Sequence, residues 1–182
     1  MKTGRLLMIC GLALLMGCGK STVMKQRGAS REMFPDQESW ESTIIISRSN
    51  RLVARAYSRR MIKYENRQVA HLLGDVKVDF YNEQGQHVSL LLADSAEFHL
   101  KTHKLSANGN VIIHSDSGLV LLTERLDWND QYDMLYTNDS VTFASNESDT
   151  LYGIGFESDV DLTHWKIFHP RGVTERQFGE SE

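Results

Sequence analysis

The sequence predicts an all-β domain, a meander of short antiparallel strands with one strongly apolar face, and three observations carry that prediction. The first is a period of two. Val76, Val78 and Phe80 alternate with Lys77, Asp79 and Tyr81; Val88, Leu90 and Leu92 alternate with Ser89 and Leu91; Val111 and Ile113 flank Ile112; Val141 and Phe143 flank Thr142. Side chains two apart share one face of a strand. The second is the spacing of turn signals. Asn82-Glu83-Gln84-Gly85, Asn108-Gly109-Asn110, Asp116-Ser117-Gly118 and Asn129-Asp130 separate the runs about every ten residues, and Gly, Asn and Asp tolerate the positive φ that tight hairpins need. The third is an internal repeat. A shift of thirty residues sets Leu91-Leu92-Ala93-Asp94-Ser95-Ala96-Glu97-Phe98 on Leu121-Leu122-Thr123-Glu124-Arg125-Leu126-Asp127-Trp128, and Leu105, Asn108 and Val111 on Leu135, Asn138 and Val141. Such a unit cannot bury its apolar face alone and stacks on its neighbour. No helical period of useful length is present to cover that face, so two facing sheets, a sandwich or jellyroll, are expected.

In chain order, the first eighteen of the 182 residues read as an address. Lys2 and Arg5 form a positive n-region, Leu6 to Met16 an apolar stretch, and Leu15-Met16-Gly17-Cys18 closes it. As a helix, Leu6 to Cys18 would span ~20 Å, short of the ~30 Å hydrocarbon core, so a transmembrane anchor is not expected. The closing residues resemble the bacterial lipobox, in which the cysteine is acylated and the preceding residues are removed. Cys18 is then the lipidation site and the mature chain, having lost Cys10, has no disulfide. Gly19-Lys20-Ser21 imitates the end of a P-loop, but Leu14 stands where the motif needs glycine. From Gly19 to Pro35 the chain is polar and aperiodic, a tether averaging roughly 20 to 25 Å end to end. The expected organisation is a signal peptide over residues 1–17, an acylated cysteine and tether over 18–37, the β domain over 38–170 and a tail over 171–182.

The β domain opens with Thr43-Ile44-Ile45-Ile46, read as a strand buried on both sides, then a Ser49-Asn50 turn and the run Leu52, Ala54, Ala56. Gly74-Asp75-Val76 echoes Gly109-Asn110-Val111 and Asp139-Ser140-Val141, an earlier and degenerate copy of the repeat. Leu151 to Phe156, then Val160, Leu162 and Trp165-Lys166-Ile167-Phe168 are expected to supply two or three more strands, the last stopped by Pro170 and Gly172.

Chemistry is sparse. The formal charge of −4 and the lack of a basic cluster argue against nucleic acid. His99 and His103 are four apart, but they bracket a turn between strands, not the helix that an i,i+4 metal pair requires. Asp94, Glu97, Glu124 and Asp127 recur with the repeat and are expected on solvated outer faces. Serines lack a GxSxG elbow. No enzyme, cofactor or metal is expected. What remains is the apolar face itself, made of Val76, Val78, Phe80, Val88, Leu90, Leu92, Phe98, Val111, Ile113, Leu126, Val141 and Phe143. These residues either fill a closed core or line a groove for acyl chains.

The ordered set of a lipid-anchored start, Ala56-Tyr57, Gly74-Asp75-Val76-Lys77-Val78, Asn82-Glu83-Gln84-Gly85, Leu105-Ser106-Ala107-Asn108-Gly109-Asn110-Val111 and Leu151-Tyr152-Gly153-Ile154-Gly155-Phe156 resembles the LptC family, and more loosely the OstA-like domains shared with LptA. The resemblance covers about Trp40 to Phe168. It implies a twisted open β-jellyroll in the periplasm that carries lipid A acyl chains of lipopolysaccharide. It also implies partners at both ends, an inner-membrane LptBFG-type ABC transporter and an LptA-like protein. Unpaired edge strands are templates for β-augmentation, which makes Ile44 and Ile46 at one end and Trp165 and Ile167 at the other the expected docking edges. Family members use an uncleaved transmembrane helix where this sequence has a lipobox. Gly19 also replaces the aspartate that marks inner-membrane retention in enterobacterial lipoproteins, so the family points to the inner membrane and the residue leaves the outer membrane open. The other reading is a structural envelope lipoprotein with a closed sandwich that serves protein contacts.

Overall fold

The computed structural model describes residues 34–145 and 150–171; Cys18, residues 18–33 of the expected tether and residues 172–182 of the expected tail lie outside the described residues, while Gln37 opens the first strand and Arg171 closes the last. Nine strands follow one another: β1 (Gln37–Arg48), β2 (Arg51–Tyr64), β3 (Val69–Tyr81), β4 (His87–His99), β5 (Lys104–Ser115), β6 (Val120–Asn129), β7 (Met134–Ala144), β8 (Thr150–Asp159) and β9 (Trp165–Arg171). They pair antiparallel in chain order in a single sheet, with β1 and β9 as free edges. Among the described residues there is no helix.

The turns follow from the residues that can take positive φ. Ser49 and Asn50, at φ 51° and 62°, form a two-residue hairpin between Arg48 and Arg51, the turn whose twist matches that of the strands. The Asn82 side chain accepts the N–H groups of Gln84 and Gln86 at 3.0 and 2.9 Å, and Gly85 at φ 76° completes that turn. Asn108-Gly109-Asn110 behaves differently from expectation. It lies within β5, with Gly109 at φ 79° and Asn110 at φ 47°, and it kinks the strand without ending it. The residues that close a hairpin also build a bulge, and the local sequence does not separate the two. The strands are accordingly longer, 10 to 14 residues for β1 to β8.

These bulges are aligned. Register shifts fall at Tyr57/Arg60, Leu73/Val76, Leu92/Ser95, Asn108/Val111, Thr123/Asp127 and Thr137/Ser140, and Glu41 and Gly155 take positive φ at the same level of β1 and β8. The line they draw cuts across the sheet and divides each strand into two halves. The sheet folds along it, because side chains from opposite halves of unpaired strands meet. Phe80 packs edge-on against Trp128 at 5.2 Å between ring centroids, and Phe143 lies 4.7 Å from Trp165. The two layers thus belong to one sheet. Between them sits the core, whose largest fully buried side chains include Trp128, Phe80, Phe156, Leu72 and Leu91.

The first strand is buried on one face, not two. Ile46 is buried and Ile44 half-buried against the core, whereas Ile45 is 66% exposed. An edge strand of a two-layer fold has only one neighbour layer to cover it.

Candidate functional site: the interior between the layers

Nine of the twelve residues expected on the apolar face line the interior. Val76, Val78, Phe80, Val111, Ile113, Val141 and Phe143 come from one layer, Phe98 and Leu126 from the other, and all are buried. Of the remaining three, Val88 is half-buried and packs against the core, whereas Leu90 and Leu92 are half-buried on the outer face and their neighbours Leu91 and Ala93 are the buried ones. The cause is one extra residue in β4 at the fold line. Inward positions run Ser89, Leu91, Ala93 and then Ala96, Phe98, so the alternation changes sign at Asp94. In β3 the bulge adds two residues, Gly74 and Asp75, and Leu72 and Val76 stay on one face. Sequence reasoning missed Leu72, Leu91, Leu105, Leu121, Trp128, Leu135 and Phe156, all fully buried. The repeat held the signal for most of them, since it pairs Leu91 with Leu121, Phe98 with Trp128 and Leu105 with Leu135.

The strand tips of the two layers are joined at two places by different chemistry. At the first, the β1–β2 hairpin meets the turn between β6 and β7. Arg48 donates to the Asp130 backbone carbonyl and lies 3.7 Å from the Asp130 carboxylate and 3.6 Å from that of Asp133; His103 Nδ1 is 3.2 Å from Asp130. Burial pushes the Asp133 carboxyl above the ordinary aspartate range, with the Arg48 charge and the Trp128 indole N–H pulling the other way. At the second place, the turn between β8 and β9 inserts Val160 and Leu162 into the core. Buried Ser89 donates its hydroxyl to the Val160 carbonyl, and Ser115 donates to that of Asp161 at 2.7 Å.

The expected docking residues lie on the two free edges. Ile44 and Ile46 are in β1; Trp165, 40% exposed, and Ile167, packed on the core, are in β9. β1 presents a long unpaired edge, while β9 has seven residues and contains Pro170. His99 and His103 flank the β4–β5 turn, as expected, and the described residues bring no three His, Cys, Asp or Glu side chains together for a metal ion. Asp94, Glu97 and Glu124 are exposed and Asp127 is half-buried, outside the interior. No helix among the described residues is long and apolar enough to cross a membrane.

A comparison with curated proteins finds no match. The family model described as lipopolysaccharide-assembly, LptC-related, matches residues 39–170, which is nearly the whole of the folded sheet. The chain therefore belongs to the LptC-related family, whose members are components of lipopolysaccharide transport in the cell envelope.

Proposed function

We propose that this protein receives lipopolysaccharide from an inner-membrane LptBFG-type ABC transporter and passes it to an LptA-like periplasmic protein, with the acyl chains held between its two layers. The observation that carries the reading is an apolar interior bounded by a sheet with two free edges, in a chain of the LptC-related family. Burying a methylene is worth about 0.8 kcal/mol, so an acyl chain of about twelve carbons would cost roughly 10 kcal/mol to pass through water. A transfer protein removes that barrier by offering one greasy surface after another, and the free edges let a second sheet join without a gap. Val76, Val78, Phe80, Phe98, Val111, Ile113, Leu126, Val141 and Phe143 are the side chains proposed to meet lipid. Ile44, Ile46, Trp165 and Ile167 mark the proposed partner edges. Cys18 is proposed as the acylated anchor and residues 18–37 as the tether that keeps the domain in the periplasm beside the membrane. The protein itself performs no bond chemistry in this scheme; direction comes from ATP hydrolysis in the transporter.

The test is ultraviolet crosslinking in cells from a photoreactive residue at Ile113, followed by a blot for lipopolysaccharide. An adduct is expected there and not from exposed Lys77 or outward-facing Leu92. One observation favours the second reading, a closed structural sandwich: the interior is filled, with Phe80 packed on Trp128. That reading gains if folded protein gives no adduct from Ile113, Phe143 or Leu126.

A further inference from the structure

An interior filled with side chains must part somewhere if lipid is to enter, and the two places where the strand tips of the layers meet are held unequally. At the β8–β9 turn Val160 and Leu162 act as an apolar stopper, and buried serine hydroxyls satisfy the carbonyls of Val160 and Asp161. Parting the layers there would expose buried leucine and valine and break hydrogen bonds formed away from water. The Arg48 contact is the weaker seal. It is ionic and partly solvated, with the Arg48 side chain 35% exposed. The carboxylates of Asp130 and Asp133 lie 3.7 and 3.6 Å from the Arg48 guanidinium, longer than a direct hydrogen bond. A long ion pair on a partly exposed side chain contributes little to holding the layers together. Directly behind this seal, two residues from Asp130, stands Trp128 against Phe80, the largest pair of side chains in the interior.

We propose that acyl chains enter between the β1–β2 hairpin and the β6–β7 turn, where Arg48 is the latch and the Trp128–Phe80 pair parts behind it to make room. Both elements are joined to the rest of the sheet by their own strands, so they swing apart without breaking strand pairing: β1–β2 and β6–β7 are not neighbours in the sheet. This inference rests on the transfer reading above and adds to it the port of entry.

The test uses the full-length protein in detergent, loaded with rough lipopolysaccharide, and reads the photocrosslinked adduct from Ile113. Arg48→Cys with Asp133→Cys, joined by a short cleavable thiol crosslinker, closes the proposed port. Ser117→Cys with Asp161→Cys holds the β8–β9 turn in place. The first bridge is expected to lower the adduct about tenfold and its cleavage to restore it, while the second leaves loading within about twofold. Because cleavage restores the protein, a folding defect cannot imitate the result. Arg48→Ala alone is expected to load several-fold faster, since the latch is gone. Normal loading through the closed first bridge, equal loss with either bridge, or unchanged loading kinetics in Arg48→Ala overturns the port. No adduct from unbridged, folded wild type overturns the transfer reading itself.

Discussion

Leu90, Leu91 and Leu92 are three identical residues in a row, and the protein uses them in opposite ways. Leu91 is fully buried between the layers beside Val78 and Ile113, its partners in the neighbouring strands. Leu90 and Leu92 share the outer face, where the cross-strand row continues through Ile112 to Leu122, 40% exposed. The lesson is that hydrophobicity alone does not assign a face. In a folded-over sheet the assignment is made at the bulge line, where one added residue reverses a strand and two leave it unchanged.

The widest separation is expected from charge placed on the two faces. Leu91→Asp buries an unpaired carboxylate among fully enclosed apolar groups and should abolish the cooperative fold, whereas Leu92→Asp should fold. Circular dichroism melts of the two variants decide it; a folded Leu91→Asp protein would mean the faces are misassigned. Next in size is the cross-layer contact. Trp128→Ala should cost about 3–5 kcal/mol in urea titrations, and the double variant with Phe80→Ala should cost less than the two singles together, since the rings pack on each other. Additive losses would show that the layers do not meet there.

A smaller effect sharpens the role of the bulge. A Cβ at Gly109 would sit 2.6 Å from Asp94 Oδ2 on a backbone at φ 79°, while a Cβ at Gly85, at φ 76°, meets nothing within 4 Å. Gly85→Ala should therefore cost about 1 kcal/mol and Gly109→Ala about twice that, with part of the excess recovered when Asp94→Ala is added. Equal costs at the two glycines would remove the crowding argument. The least effect belongs to the outer face: Leu122→Ala should move stability by no more than about 0.5 kcal/mol, in contrast to about 2–5 for Leu121→Ala one residue away.

Much of this organisation was legible in the chain. The period of two announced strands, Ser49-Asn50 and Asn82 to Gly85 announced hairpins, and the carboxylates that recur with the repeat announced solvent-facing positions. The site was legible in part. Nine of its expected residues are buried in the interior and Val88 packs against it half-buried, while Leu90 and Leu92 of β4 lie on the outer face. The repeat carried further information, because equivalence with the expected Phe98 places Trp128 inside, and Leu91 and Leu121, equivalent in the repeat, are both fully buried. The two seals had no signature at all. Arg48 and Asp133 are 85 positions apart, as are no two partners in a hairpin, and nothing in either segment marks its distant neighbour.

By itself the sequence determined the class of structure: alternating apolar residues, glycine and asparagine at intervals, and no helical period leave an antiparallel sheet as the way to bury that surface. Its order of strands followed as well, since each hairpin is closed by the residues between its own two strands. Tertiary structure alone decided where the sheet folds, which of three leucines faces inward, and how the strand tips of the two layers are joined. These depend on contacts between strands that are not neighbours in the sheet, and the free energy of such contacts is set by the assembled layers, not by any stretch of chain read locally.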